Sequence, residues 1–147
     1  MKRFHFWQQW LFYSSIVFAL FGIVFAIYGN NVLFRTYNDD LARIFWHQRH
    51  LPPSADSFRA FIWAPLGGTI ACCYVLLAWI AYFPFRKKEK WSWIAIATAF
   101  GVWIIIDSLS CIYYGVYFQV AAVNVFSFLV KALPLAFTYH EFFGRKK

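Results

Sequence analysis

Two charged residues interrupt long apolar stretches in the second half of the chain, and they are the residues most able to do chemistry. Asp107 is the acidic residue and Lys131 the basic residue found inside these stretches. A charged side chain in the middle of a membrane helix costs about 2.5–3.5 kcal/mol on insertion scales, so such residues are usually functional. A carboxylate and an ammonium in this setting can relay protons, bind an ion or hold a polar solute.

Other polar residues recur beside this pair at helical spacing. Asn124, Ser127 and Lys131 follow at steps of three and four, which places them on one face of a helix. Asp107 and Ser110 share a face of the preceding helix in the same way. We therefore predict an ion- or ligand-binding cluster of Asp107, Asn124, Lys131, Ser127, Ser110 and Tyr114.

Three interpretations of the charged pair remain open. A short turn near Val116 would form an antiparallel hairpin in which Asn124 is level with Asp107. Measured from the helix ends at that turn, Asp107 lies ~10 Å and Lys131 ~19 Å along its helix. The opposed lean of the two side chains closes this gap, so an ion pair is feasible. Alternatively, the cluster only fixes which helices pair, or Lys131 extends to the membrane surface and leaves Asp107 protonated.

Two histidines give a weaker hypothesis, a metal site. His47 and His50 are three residues apart and Asp40 precedes His47 by one heptad, so a helix would place all three on one face. Two imidazoles and a carboxylate suit a transition metal, but histidines in a polar connection are more often ordinary surface residues. We assign no metal and no cofactor, and His5 and His140 are too far from this pair for a haem to bind between them.

The amino-acid composition indicates which kind of structure must hold these residues in position. Of 147 residues, 62% are hydrophobic and 14% charged, against about 45–50% and 25% in a soluble domain. A soluble domain of this size cannot bury so much apolar surface, so lipid is the expected solvent. The formal net charge of +8 lies in short clusters rather than along one face, and we therefore expect no nucleic-acid partner.

Four apolar stretches are each longer than the ~20 residues that cross a bilayer as a helix. They predict transmembrane helices at residues 7–28, 60–85, 91–114 and 118–139. In the outer segment, residues 29–57, an amphipathic pattern predicts a short interfacial helix at about 39–50, with Asn38, Asp39 and Asp40 as its N-cap region. The predicted fold is all-α: a polytopic membrane protein whose single membrane domain, 1–147, is a four-transmembrane-helix bundle.

Positive charges set the predicted orientation. They cluster near the two ends and in the connection between the second and third spans, whereas arginines on the other side are nearly balanced by aspartates. The positive-inside rule then makes the N-terminus, this connection and the C-terminus cytoplasmic. We expect a multi-pass protein of a bacterial inner membrane. The cations that carry this prediction are Lys2, Arg3, Arg86, Lys87, Lys88, Lys90, Arg145, Lys146 and Lys147.

Small residues predict where the helices pack. Lipid gives apolar helices no hydrophobic reason to associate, so close packing of small side chains must supply the attraction. The predicted faces also suit a second copy of the chain or another membrane protein as a partner. They are Ser15, Ala19, Gly22 and Ala26 in the first span, Ala64, Gly68 and Cys72 beside Gly67 and Ala71 in the second, and Ala97 and Gly101 in the third.

No enzyme motif is present, since the chain has no GxSxG, HExxH or Walker sequence. We therefore predict small-solute or proton-linked binding or transport through a polar site between the third and fourth spans. The main alternative is a non-catalytic membrane subunit or accessory protein, and a weaker one is a membrane-embedded enzyme that acts on lipid or quinone.

The Pro-Phe-basic-Trp connection after the second span, together with an outer helix after the first, is similar to that of many small bacterial inner-membrane proteins. This resemblance implies no activity. The chain lacks the cysteine pairs of thiol-oxidising quinone reductases, the acid in the first span of small multidrug exporters, and the two membrane aspartates of lipoprotein signal peptidases.

Overall fold

The computed structural model describes residues 2–29 and 31–144, and within these ranges every regular element is a helix. Short 3-10 and π segments join the longer helices. The elements in chain order are α1 (Lys2–Tyr28), a 3-10 turn (Val32–Phe34), α2 (Arg35–Trp46), α3 (Pro53–Ile80) with a π-helix (Ala81–Phe85), α4 (Lys90–Tyr113), α5 (Tyr117–Gln119), a second π-helix (Val120–Asn124) and α6 (Val125–Phe143).

Among the described residues, four helical segments are long and apolar enough to cross a membrane. At most 28% of the most apolar part of each segment is buried within the protein. The remaining apolar surface needs lipid to cover it, which fits a multi-pass membrane protein. The all-helical prediction with four such segments is confirmed. The segments are Arg3–Tyr28, Pro53–Phe85, Lys90–Tyr113 and Tyr117–Phe143.

Two helices begin well before the predicted spans because helical hydrogen bonding continues beyond the apolar stretch. α1 starts at Lys2 rather than Trp7. α3 starts at Pro53, where the backbone N–H groups of Ala55 and Asp56 both donate to the carbonyl of Pro52. Proline suits the first turn of a helix, whose N–H groups have no partner within the helix. Pro52 and Pro53 therefore mark the start of α3.

The predicted helix at 39–50 is displaced, and α2 ends earlier than expected. His47 adopts φ 53° at its C-terminus, a left-handed conformation that stops the helix at Trp46. Asp39 and Asp40 lie within α2 and not at its N-cap. Asp39 pairs with Arg35 at 3.7 Å, and Asp40 pairs with Arg43 at 3.2 Å, both on the same helix. The predicted N-cap is therefore wrong, whereas the position of α2 at a membrane surface stays a prediction.

Residues 17–75 form one compact unit, in which α1 and α3 cross at two glycines. A Cβ placed on Gly67 would lie 2.5 Å from the backbone nitrogen of Ala26 and 2.6 Å from the carbonyl oxygen of Gly22. A Cβ on Gly22 would lie 2.6 Å from the backbone nitrogen of Ala71. The two backbones are thus in direct contact, and only glycine fits at either position.

Aromatic rings fix which face of α3 makes this crossing. Trp63 stacks on Phe25 with centroids 4.7 Å apart, and Tyr74 stacks on Phe18 at 4.9 Å. Trp63 and Tyr74 share a helical face with Gly67, so these stacks bring Gly67 rather than its neighbour against α1.

Of the small residues predicted to pack on α3, Gly67 and Ala71 contact α1, whereas the stripe of Ala64, Gly68 and Cys72 does not. Ala64, Gly68 and Cys72 are exposed, and a Cβ on Gly68 would meet nothing within 4 Å. The closely packed small residues are instead Gly67 and Ala71, which lie about 100° further round the helix.

The other unit comprises the described residues of 1–16 and 76–147. Phe85 stacks on Phe4 at a centroid distance of 6.0 Å and lies 4.7 Å from Phe142. Lys88 Nζ lies 2.6 Å from Glu141 Oε2. The start of α1, the connection between α3 and α4, and the end of α6 therefore meet at one end of this unit. Which side of a membrane this end faces stays a prediction, and Arg145, Lys146 and Lys147 lie outside the described residues.

Candidate functional site

A hydrogen bond between α4 and the second π-helix forms the centre of the site. Asn124 Nδ2 donates to Asp107 Oδ2 at 2.6 Å and to Ser108 Oγ at 3.2 Å. Asn124 is completely buried. Short bonds to a carboxylate are the strong ones, because charge assists them. The expected juxtaposition of Asp107 and Asn124 is present, whereas a ligand for them stays a prediction.

Two further side chains reach the same carboxylate oxygen. Gln119 Nε2 donates to Asp107 Oδ2 at 3.3 Å, and the Cys111 thiol donates to it at 3.6 Å. Three donors on one oxygen stabilise a negative charge within apolar surroundings. Neither Gln119 nor Cys111 was predicted from the sequence. Cys111 follows Asp107 by four positions, a helical spacing that could have indicated it, but Gln119 comes into reach only through the conformation of the turn.

That turn is built by a left-handed glycine. Gly115 has φ 76°, and the backbone N–H groups of Gly115 and Val116 donate back to the carbonyls of Ile112 and Cys111. A positive φ costs glycine little because it has no Cβ. The turn reverses the chain within a few residues and returns Gln119 to the level of Asp107.

The π-helix sets the direction of Asn124. It spans Val120–Asn124, and Asn124 Oδ1 is buried without a hydrogen-bond partner among the described residues. A π turn contains one more residue than an α turn, which rotates the side chains that follow it, and such turns often occur at functional sites. An unsatisfied buried acceptor costs about 1–3 kcal/mol. The site therefore holds an oxygen able to accept one more donor.

Lys131 and Ser127 are buried on the same face of α6 as Asn124, at 0% and 5% exposure. Lys131 Nζ lies 5.6 Å from the centroid of the Phe100 ring, within cation–π range. Lys131 therefore does not extend to the membrane surface, and that interpretation is wrong. An Asp107–Lys131 ion pair stays a prediction, since the contacts described above for the carboxylate are to Asn124, Gln119 and Cys111.

Ser110 and Tyr114 belong to the predicted cluster, but the structure leaves both exposed. The rotation of α4 directs Asp107, Ser108 and Cys111 towards the π-helix, and Ser110 lies on a different face. Ser108 and Cys111 therefore make the contacts within the cluster that were expected of Ser110 and Tyr114.

The two histidines of the predicted metal site, His47 and His50, lie in the unit of residues 17–75. His50 Nδ1 lies 3.0 Å from Asp39 Oδ1, and this hydrogen bond is the main cause that holds the pKa of Asp39 below its usual range. Asp40 pairs with Arg43, and α2 ends before His47. The predicted common helical face is therefore wrong. Within residues 2–29 and 31–144, no group of three His, Cys, Asp or Glu residues could hold a metal ion.

The helices and the site define an all-helical protein whose buried polar cluster lies on two segments long enough to span a membrane. Comparison with protein-family models, with curated proteins and with solved structures finds no match for the chain.

Proposed function

We propose that the chain is a multi-pass inner-membrane protein that binds a small polar solute or a proton, and carries it across the bilayer, at Asp107. The observation that carries the proposal is the 2.6 Å hydrogen bond from buried Asn124 to Asp107. An ionisable residue at membrane depth is by default functional, because its insertion is costly. Asp107 is the proton- or solute-binding carboxylate, Asn124 the amide that orients it, and Lys131 the counter-charge.

The amide of Asn124 supplies a different partner for each protonation state of the site. Ionised Asp107 accepts from the Asn124 amide nitrogen. Protonated Asp107 becomes a donor, and rotation of the amide then presents Oδ1, the atom that has no hydrogen-bond partner in the described residues. A bound solute with a donor group satisfies the same oxygen. Proton binding and solute binding are therefore coupled through one side chain.

The proposed setting is a four-helix bundle with α2 at the membrane surface and both ends of the chain in the cytoplasm. The packing of Phe4, Phe85 and Phe142 at one end of their unit supports this arrangement. Basic residues are concentrated at that end, and cytoplasmic loops carry the excess of Lys and Arg.

Reconstituted vesicles test the proposal. The full chain is inserted into vesicles that contain a pH-sensitive dye, and a pH gradient is imposed in the presence of a panel of small polar solutes. The gradient is expected to decay faster than in protein-free vesicles when at least one of the solutes is present. If protons pass alone, the gradient decays faster without any added solute. Decay equal to that of empty vesicles under every condition would contradict a transport role.

A second candidate, a subunit that binds another membrane protein or a second copy, is favoured by the free space beside Gly68. This glycine lies between exposed Ala64 and Cys72 at four-residue spacing, and such stripes let membrane helices approach closely. Gly68→Leu is then expected to abolish co-purification of a stoichiometric partner without changing the thermal stability of the chain alone. A partner retained by this variant, or a monomeric wild type without any partner, counts against this candidate.

A further inference from the structure

In the unit formed by the described residues of 1–16 and 76–147, the end at which Phe4, Phe85 and Phe142 meet carries more positive than negative charge. Glu89 and Glu141 are the described acids there, and both are engaged: Glu89 accepts from Trp91 Nε1 at 2.6 Å, and Glu141 pairs with Lys88. Among the described residues at this end, Lys88 is the cation that forms an ion pair. The other cations are exposed: Arg3, Arg86, Lys87 and Lys90.

The cations in the unit of residues 17–75 are arranged differently. Of the four arginines there, Arg49 is exposed and lies outside the ion pairs, while Arg35, Arg43 and Arg59 each pair with an aspartate three or four residues away on the same helix. Their charges are therefore compensated locally. An exposed pair of this kind contributes little to stability, but it leaves little net charge to attract an anion.

Aromatic rings hold three of the uncompensated cations close to the apolar surface. The Arg3 guanidinium lies 5.0 Å from the centroid of Phe137, the Arg86 guanidinium 5.9 Å from Tyr82, and Lys90 Nζ 5.9 Å from Phe143. Trp and Tyr rings prefer the headgroup level of a bilayer, and a cation over a ring is attracted by its face. The three charged groups thus lie against aromatic surface, and one of the rings, Tyr82, is of the type that prefers the headgroup level.

We propose that Arg3, Arg86, Lys87 and Lys90 form a binding site for the headgroups of anionic glycerophospholipids. The uncompensated charge selects an anion, and the adjoining aromatic and aliphatic surface selects one attached to acyl chains. A soluble anion would gain only the electrostatic part of this interaction. The site is separate from Asp107, and its existence does not depend on the proposed transport.

Titration of the full chain, in a neutral detergent, with a short-chain phosphatidylglycerol tests the site. Each cation near a membrane surface contributes about 1 kcal/mol to the binding of anionic lipid, a factor of about 5 in affinity. The double variant Arg86→Gln/Lys87→Gln should therefore bind about 25-fold more weakly. Arg35→Gln/Arg43→Gln is the matched control, since it removes the same charge from locally compensated positions, and its affinity should stay near that of the wild type.

Four results would overturn the proposal. They are an unchanged affinity in the Arg86/Lys87 variant, an equal loss in the control variant, equal affinity for short-chain phosphatidylcholine, and displacement of the lipid by inorganic phosphate at a comparable concentration. The last result would assign the cluster to a free anion rather than to a lipid. Circular dichroism of each variant shows that a change in affinity does not come from unfolding.

Discussion

Asp107→Asn is expected to abolish proton-linked flux in reconstituted vesicles while the protein stays folded. A positioned proton-transfer group typically contributes about 10²–10⁴-fold to a rate, and an amide cannot take up and release the proton. The expected loss is therefore at least about 100-fold. Flux is measured as the decay of an imposed pH gradient, at equal amounts of inserted protein.

The fold should tolerate this substitution because the new side chain has the same shape and suits its neighbour. The carbonyl oxygen of the introduced amide would still accept from Asn124 Nδ2, and its nitrogen would offer a donor to Asn124 Oδ1, which is buried without a partner in the described residues. Neutralising a half-buried carboxylate also removes part of a desolvation cost. Equal loss of folded protein and of flux would instead favour a cluster that only determines which helices pair.

Glu141→Gln is the matched control for charge. It replaces a carboxylate by its amide in the same unit, but at an exposed position whose partner is Lys88. Flux should be unchanged by this variant. A loss as large as that of the Asp107 variant would mean that net charge, rather than the buried carboxylate, governs transport.

Gly67→Ala is expected to lower the stability of the protein by adding a single methyl group. The new Cβ would lie 2.5 Å from the backbone nitrogen of Ala26 and 2.6 Å from the Gly22 carbonyl oxygen. Neither atom belongs to a flexible side chain, so α1 and α3 must separate. Overpacking of this kind costs about 1–3 kcal/mol. The loss is measured as a lower free energy of unfolding in detergent titration, or as a lower midpoint of thermal unfolding.

Gly68→Ala separates this clash from the general effect of alanine in a helix. The neighbouring glycine has nothing within 4 Å of an added Cβ. Alanine is favoured over glycine inside a helix by about 0.5–1 kcal/mol, so this variant should be at least as stable as the wild type. The two adjacent substitutions are expected to have opposite signs. A similar effect at both positions would show that the backbones of α1 and α3 are not in contact at Gly67.

The membrane-spanning character of the chain could be predicted from sequence because it depends on composition over long windows. The four apolar stretches fall within the helical segments of the structure, except that the third extends one residue past α4 to Tyr114. The start of α3 at Pro53 differs from expectation because polar residues also continue a helix. The rotation of α3 could not be predicted in this way. Gly67 and Gly68 are identical in sequence, and the stacks of Trp63 and Tyr74 on rings of α1 decide which one makes the contact.

The centre of the polar site was also predictable, since buried charges and amides in apolar helices need one another. The antiparallel hairpin placed Asn124 at the level of Asp107, and the two are hydrogen-bonded. The other residues that contact Asp107 and Asn124 were not predictable. Helical spacing on α4 selected Ser110 and Tyr114 but did not show how α4 is rotated, and the turn that returns Gln119 to the site had no sequence signal. Ser108, Cys111 and Gln119 make the contacts instead.

Infrared difference spectroscopy of the chain in lipid bilayers, with the Asp107→Asn variant as reference, tests most directly whether Asp107 exchanges protons with water. A carboxyl C=O stretching band is expected that grows as the pH falls, shifts after transfer to D₂O and is missing from the variant. A band that neither titrates nor exchanges, or no difference between the two proteins at any pH, would contradict the assignment of Asp107 as a proton- or solute-binding carboxylate.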